Sequence, residues 1–302
     1  MALEKPISFT ENVDCCLLCG QQDSRFFGQA NFRNHQVTYR ICHNCGMVFQ
    51  SPRMSAEKLQ EFYEGEYRLI YQGQEGPNPK DLVVQHGRAA SLELFVQDYI
   101  FEVKRHLDIG SSAGILLQCF QQRYQDQAVG VEPGQAYREF AQRQGFKIYA
   151  TLDELKQSGE NRFDLVSLAH VLEHLPDPVS YLAFLRQELL EEQGWLLIEV
   201  PNLYAHDSFE IAHLAAYSSH TLDQAVQKGG FQVVRRIVHG KPRSLLLPLY
   251  ITILARVDPQ PKQLADFWVK PERGVRLKRE VGLLRRQILT RIFPAKAWMP
   301  FD

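Results

Sequence analysis

The chain changes its hydrophobic rhythm partway along. From residue 103 onward, short apolar runs alternate with segments in which apolar residues recur at helical spacing. Strands are expected at 104–109, 127–132, 146–149, 163–169 and 194–200, with helices at about 114–124, 134–144, 176–192 and 220–229. Two further strands, 230–237 and 247–256, close the set at seven. Strands alternating with helices in this way predict an α/β fold built on a doubly wound parallel sheet. In such sheets ligands bind beyond the carboxyl ends of the strands, so the residues just after each strand are the ones to read for chemistry.

Upstream the pattern differs. "HQVTYRIC" (35–42) alternates like a half-exposed strand. "GMVFQSPRMSAEKLQEFYEGEYRLIY" then predicts a strand, a proline turn, a helix capped by Ser55, and a tyrosine cluster at Tyr63, Tyr67 and Tyr71. "GQEGPNPK" (73–80) is a loop, and a helix over 81–100 leads into the α/β part. The expected organisation is a small module over 1–60, a helical connector over 61–102, the main domain over 103–257 and a basic helical tail over 258–302.

The tail carries nine basic residues between 270 and 296 against Glu272 and Glu280, with Leu277, Val281, Leu284 and Ile288 at helical spacing. The expectation is a helix packed on the sheet with its charged face in water, Trp298 and Phe301 anchoring its end. A basic amphipathic helix meeting a membrane surface, RNA or an anionic substrate is the alternative.

Composition narrows the class further. Apolar residues make up 45% of the 302 and charged residues 23%, as in ordinary globular proteins. Lys and Arg total 34 against 35 Asp and Glu, so no global charge points to nucleic acid or membrane. "MALEKPISFT" has no apolar core of a secretory signal, and the most apolar stretch, 245–257, is too short for a bilayer needing about 20 residues. A cytoplasmic protein is expected.

Five of the six cysteines fall within the first 45 residues. "CLLCG" and "CHNCG" are Cys-x-x-Cys-Gly units, each able to present two thiolates to one ion around a glycine-assisted turn. Cys16, Cys19, Cys42 and Cys45 therefore predict a tetrahedral structural zinc in a ribbon, with Cys15 spare. Four thiolates fill the coordination sphere, so this zinc holds the fold rather than doing chemistry. Cys119 sits in an apolar helical pattern and reads as a core residue.

The first strand of the main domain runs into "LDIGSSAG" (107–114), where Gly110 and Gly114 permit a tight turn at a helix start with free N–H groups. The second ends in "GVEP" (130–133), where Glu132 can accept two hydrogen bonds from ribose hydroxyls. A dinucleotide-binding turn would have glycine where this chain has Ser112. With Asp108 just upstream, the loop suits a cationic amino acid end better than a phosphate. That chemistry favours S-adenosylmethionine, which has adenosine, a sulfonium and an ammonium but no phosphate.

"LDIGSSAG", "GVEP", "FDLVSLAHVLEHLPDP" and "GWLLIEVPN" resemble, in order and spacing, the motifs of class I S-adenosylmethionine-dependent methyltransferases. The resemblance covers about 103–256 and implies a Rossmann-like sheet whose last strand, "LPLYITILARV", runs antiparallel. It implies that Asp108, Gly110, Ser112 and Gly114 hold the methionine end and Glu132 the ribose, that Leu152 and Asp153 flank adenine, and that Ala169 and His170 lie against the cofactor. The ribbon with "CGMVFQSPR" also resembles the zinc module of sugar C-methyltransferases, over roughly 15–70 plus the Glu173–His174 pair. This second resemblance implies a small-molecule acceptor, a nucleotide- or lipid-linked sugar. An O-methyltransferase acting on a phenolic or RNA substrate, and a non-catalytic scaffold, are the alternatives.

"SLAHVLEHLPDP" (167–178) places His170, Glu173 and His174 on the ligand side of the sheet, on one face if the segment turns helically. Three readings stay open here. Glu173 and His174 can act as orienting group and base, with a tyrosine from 63, 67 or 71 facing the substrate. The cluster can bind a metal with His206, His213 or His220. Or His174 caps the turn before Pro176. His213 is also a candidate for a lid over the substrate side.

Overall fold

A computed structural model describes residues 7–300 apart from Arg33, Asn161 and Ser208. The expectations placed on the first six residues and on Phe301 lie outside the described residues.

The ribbon is a hairpin of β1 (Ser24–Phe32) and β2 (His35–Cys42), followed by β3 (Val48–Gln50). Ser55 caps α1 (Ala56–Glu61) through the Lys58 N–H. A π-helical turn over Phe62–Glu66 leads into α2 (Tyr67–Gln72), and Asn78 caps the long α3 (Pro79–Val96).

Strands and helices then alternate as β4 (Arg105–Ile109), α4 (Ile115–Tyr124), β5 (Gln127–Val131), α5 (Gln135–Arg143), β6 (Lys147–Tyr149), α6 (Leu152–Gln157) and β7 (Phe163–Ala169). After α7 (Pro178–Phe184) and a π turn over Leu185–Leu189 comes β8 (Leu190–Pro201), then the two-residue β9 (Ala215–Ala216). Next are α8 (Ser219–Lys228), β10 (Phe231–His239), β11 (Tyr250–Val257), α9 (Val275–Ile292) and the short α10 (Pro294–Ala297). The helix expected over 176–192 is thus interrupted: its last residues join β8, because Leu190 pairs with Phe163 at the sheet.

The main sheet has seven strands in the order β10-β11-β8-β7-β4-β5-β6. β4, β5, β6, β7 and β8 are parallel, while β11 runs antiparallel to both β8 and β10. This is the Rossmann-like arrangement with an antiparallel last strand. Its strands are apolar on both faces because helices cover both: Leu107, Val166, Leu168 and Ile198 share one buried cluster with Leu182 of α7 and Leu222 of α8, while Leu165 and Leu197 join Leu92 and Phe95 of α3 and Phe120 of α4 on the other side. Each such fully buried side chain contributes about 1.5–3 kcal/mol relative to exposure.

The ribbon is tied into this body. β9, which lies between the sheet strands β8 and β10 in sequence, pairs with β3, so one small four-stranded sheet (β1-β2-β3-β9) spans both parts. Tyr39 of β2 donates its hydroxyl to the His213 carbonyl at 2.5 Å, and Gln50 of β3 donates to the Glu210 carbonyl at 3.1 Å. The N-terminal strands therefore fix residues 210–214, which lie against Glu173 and His174 at the ligand end of the sheet.

The tail helix departs from expectation. Its buried residues are Val275 and Arg279, and the apolar positions Leu277, Val281, Leu284 and Ile288 are exposed. The apolar stripe does not pack on the sheet. Trp298 does anchor the end, donating to Thr290 Oγ1 at 3.2 Å and packing near Leu247 and Leu249.

Candidate functional site

The turn after β4 is built on glycine where glycine is required. Gly110 has φ +73°, and a Cβ there would come within 2.6 Å of the Val171 side chain. Gly114 has φ +78° at the start of α4, with Ala141 Cβ 3.1 Å from where a Cβ would sit. Ser112 itself takes a positive φ of 50° and donates its N–H to Glu132 Oε2 at 2.9 Å. Gly134 N–H donates to the other oxygen, Oε1, at 2.9 Å. Glu132 is thus a buried carboxylate aimed by two backbone donors at the carboxyl end of β5. A glycine turn beside an oriented carboxylate fits the methionine end and ribose of an adenosyl cofactor.

Asp108 is also buried, and its carboxylate turns toward the adjacent strand, where Ser167 donates to Oδ1 at 2.6 Å. Burial pushes its pKa up to about 7. The charge argument built on Asp108 weakens accordingly: at neutral pH this carboxyl is partly protonated and braces the turn. Leu152 and Asp153 open α6 just beyond β6, behind a Thr151 cap, with Leu152 half-buried and Asp153 exposed. Ala169 ends β7.

Side chains from α2 and α3 reach into this end of the sheet. Arg68 of α2 lies 3.3 Å from Glu132 Oε2 and stacks on the Tyr137 ring at 3.9 Å. Gln85 of α3 accepts the Ala113 N–H at 3.2 Å, and Asp81 accepts the Tyr137 hydroxyl at 2.6 Å. These residues were missed in the sequence. Asp81, Gln85 and Arg88 do fall at spacings of four and three, one polar row along the helix, which is the signal available to find them.

The segment after β7 brings the expected pair together with more partners. Glu173 is fully buried, with His170 Nδ1 3.2 Å from its Oε1; neither Glu173 oxygen receives a well-formed hydrogen bond among the described residues. His174 Nδ1 lies 2.9 Å from the Ala212 carbonyl, and donation there leaves Nε2 as the nitrogen with a lone pair. The His213 ring stands 4.9 Å from the His174 ring, and the rings of Tyr63 and Tyr67 stand edge-on to it at 5.8 and 6.0 Å. Tyr71 instead stacks on Phe32.

Burial lowers the His174 pKa to about 4 despite the adjacent Glu173 carboxylate. Burial alone would raise Glu173, but the imidazoles around it, His170 first, hold it down at about 2. At neutral pH the site therefore pairs an ionised carboxylate with a neutral imidazole, which is free to accept a proton although burial makes it a weaker base than a free imidazole. Burial pushes Glu210, 3.8 Å from His213 Nε2, up to about 7.

Glu173, His174 and His213 each offer a ligand atom within 4.8 Å of the others, so a cation could also be held there. Of the three histidines considered as further ligands, only His213 joins the group. His206 lies against Tyr250, and His220 binds the Lys270 carbonyl at 2.8 Å.

His170 bridges two buried acids. It takes φ +59°, a conformation rare outside glycine, and its Nε2 lies 3.2 Å from Glu199 of β8. Glu199 also receives Arg88 at 2.8 Å and Thr252 at 3.1 Å. An acid inside the apolar run "WLLIEVP" was the signal for this network. It ties α3, β8, β11 and the end of β7 into one support beneath the Glu173–His174 pair.

On the ribbon, Cys16 and Cys45 sulfurs lie 3.5 Å apart, as do those of Cys19 and Cys42. A tetrahedron with Zn–S bonds of 2.3 Å sets sulfurs about 3.8 Å apart, so the four thiols fit a zinc ion. Both knuckles close with a glycine at positive φ, Gly20 and Gly46, whose N–H groups bond back to the Cys16 and Cys42 carbonyls.

The sequence model of a family described as a methyltransferase domain matches residues 84–236, about half of the chain. Two curated relatives named ubiquinone biosynthesis O-methyltransferase are similar over a shorter stretch. That from Hahella chejuensis is 33% identical over 87 residues, covering 26% of this chain and 36% of the relative. That from Alkalilimnicola ehrlichii is 31% identical over 86 residues, covering 26% and 34%. The chain thus spans about a third of the length of these relatives. Among solved structures, the 1,6-didemethyltoxoflavin-N1-methyltransferase of Burkholderia thailandensis, with 1,6-didemethyltoxoflavin and S-adenosylhomocysteine bound, aligns with a TM-score of 0.51 at 18% identity. It covers 72% of this chain and 97% of its own, a likeness of fold.

Proposed function

We propose, from the premise that this chain belongs to the methyltransferase-domain family, that it transfers the methyl group of S-adenosylmethionine to a small-molecule acceptor deprotonated with the help of Glu173 and His174. The observation that carries this reading is Glu132, held by the Ser112 and Gly134 N–H groups beside a glycine turn. When bound, the cofactor supplies a methyl on a sulfonium, which leaves as a neutral thioether once the acceptor's electron pair attacks.

The chain's own residues do the rest. Gly110, Ser112 and Gly114 shape the wall at the methionine end, and Glu132 orients the ribose. Leu152 and Asp153 border the adenine, and Ala169 and His170 border the cofactor from the end of β7. His174, neutral at pH 7, takes the acceptor proton at Nε2, and Glu173 stabilises the imidazolium that results. Tyr63 and Tyr67 wall the acceptor side and exclude water. His170 Nδ1 already stands 3.2 Å from Glu173 Oε1, so that oxygen has an imidazole partner, which favours the proton reading over a metal. Cys16, Cys19, Cys42 and Cys45 hold a structural zinc.

For the acceptor, the ribbon's resemblance supports a nucleotide- or lipid-linked sugar. A second reading, O-methylation of a phenolic acceptor, draws support from the names of the two curated relatives and from the tyrosine walls. Mass spectrometry of products from both acceptor classes separates them. Glu173→Gln and His174→Asn should lower turnover at least about 100-fold, the scale of general-base catalysis, while calorimetry shows unchanged S-adenosylhomocysteine binding. Unchanged turnover in both variants would return the pair to a structural turn.

A further inference from the structure

The tail helix α9 is packed inside out. Its inner face is the line Val275, Arg279, Gly282 and Arg286. Arg279 donates to the Leu203 carbonyl, and Arg286 donates to the Ala205 carbonyl at 3.2 Å. Gly282 lets the helix backbone lie directly on this segment, since a Cβ there would overlap the Tyr204 carbonyl. Val275 packs against Gly46 of the ribbon. These contacts fix the rotation of α9 about its axis.

The consequence is on the other side. Leu277, Val281, Leu284, Ile288 and Ile292 line the outward face, each between 46% and 65% exposed, and Phe293 continues the stripe at 48%. A water-facing helix ordinarily turns such residues inward, and contiguous exposed apolar patches mark interaction sites. Beside the stripe stand the exposed Arg276, Lys278, Arg285 and Arg291, with Glu280 the one acid within α9. The whole chain has a net charge of −1, so the positive charge is concentrated here.

We propose that α9 is an interfacial helix that docks this protein on an anionic lipid surface, its apolar stripe entering the headgroup boundary and its basic flanks meeting the lipid phosphates. The charge distribution selects this occupant. A second copy of the helix could mesh with the 277-281-284-288 spacing, but it would bring Arg276, Arg285 and Arg291 of one copy against those of the other with Glu280 alone in each helix to offset them, Lys278 being already paired with Glu272 at 2.9 Å. An anionic bilayer satisfies the stripe and its flanks together.

The test uses the full chain with vesicles of phosphatidylcholine alone and with about 30% phosphatidylglycerol added. Co-sedimentation should rise at least about tenfold with the anionic lipid and fall again in high salt. The variant Leu277→Gln/Val281→Gln/Leu284→Gln/Ile288→Gln should lose that binding while keeping its melting temperature and its affinity for S-adenosylhomocysteine. Arg285→Gln/Arg291→Gln should weaken it in proportion to the charge removed. Three results would overturn the proposal: equal binding to both vesicles; binding to anionic vesicles and to polyuridylate alike, untouched by the glutamine stripe; or a dimer by light scattering that the stripe variant dissolves.

Discussion

Arg68 of α2 places its guanidinium 3.3 Å from the carboxylate of Glu132, so a helix belonging to the N-terminal segment rests on the acid at the end of β5. The contact is long for an ion pair between such strong partners, and the guanidinium is shared with the Tyr137 face, its carbon 3.9 Å from the ring centroid. Glu132 already takes two backbone N–H groups, and the remaining lone pairs are those that ribose hydroxyls would use.

The two partners of this pair should therefore respond with opposite sign. Glu132→Gln removes a charged acceptor and should weaken S-adenosylhomocysteine binding by roughly 10- to 100-fold, since hydrogen bonds to a charged group contribute about 1.5–3 kcal/mol. Arg68→Ala removes a competitor for the same oxygens and should tighten binding by up to about fivefold, the scale of a weak ion pair. Calorimetry on both variants checks this. Loss of affinity in both would make Arg68 part of the cofactor's own contacts.

The succession of strands and helices along the chain and the grouping of Cys16, Cys19, Cys42 and Cys45 were legible because their signals are local. Short apolar runs bounded by glycine and proline need no knowledge of partners, and a Cys-x-x-Cys-Gly turn carries its geometry in five residues. What escaped was set by long-range packing. Arg88 and Glu199 are 111 residues apart in sequence and meet at 2.8 Å only because α3 lies across β8. The spacing of Leu277, Val281, Leu284 and Ile288 announced a helix with a stripe, yet which side faces inward was decided by Arg279 and Gly282 against the 203–206 segment. The pair Glu173–His174 was readable as a pair, whereas the approach of His213 depends on Tyr39 and Gln50 of the ribbon holding the 210–213 carbonyls.

The depressed pKa of His174 sets the direction of its pH dependence. The unfolded chain binds a proton at this residue near pH 6.5, and the folded protein does so only near pH 4. The unfolded state holds more protons across that window, so this residue's contribution is fully present above pH 6.5 and is lost as the pH falls toward 4. Asp108 and Glu210, both raised to about 7, act in the opposite sense, their contribution being lost as the pH rises through 7. The wild-type profile is the sum of these, so the informative quantity is a difference. The melting temperature of His174→Asn minus that of the wild type should become more positive between pH 6.5 and 5. In the wild type, kcat/KM should hold down to about pH 5 and fall below it, as expected for a base with a pKa near 4. A difference that stays flat would place the His174 titration outside this window.

Zinc removal should reach well beyond the ribbon. Cys16, Cys42, Cys45 and Met47 belong to the same buried cluster as Leu222, Ala225 and Val226 of α8 and the sheet strands, and Lys228 at the end of α8 donates to the Leu18 carbonyl between the first two cysteines at 2.9 Å. A structural zinc carries on the order of 10 kcal/mol of folding free energy in small modules. Without the ion, four thiols would be left crowded in that cluster, and β3 would lose the knuckle that holds it against β9. Because β9 follows directly on residues 210–214, which bear His213, the pocket around His174 should loosen with it. Metal analysis of the purified chain should give one zinc per chain. Cys42→Ser, or prolonged chelation, should lower the melting temperature by at least about 10 °C, taking 1 kcal/mol as about 2–4 °C for a body of this size, and turnover should fall in step with zinc loss. Full activity and an unchanged melting temperature in a zinc-free sample would show that the four cysteines hold the ribbon without an ion.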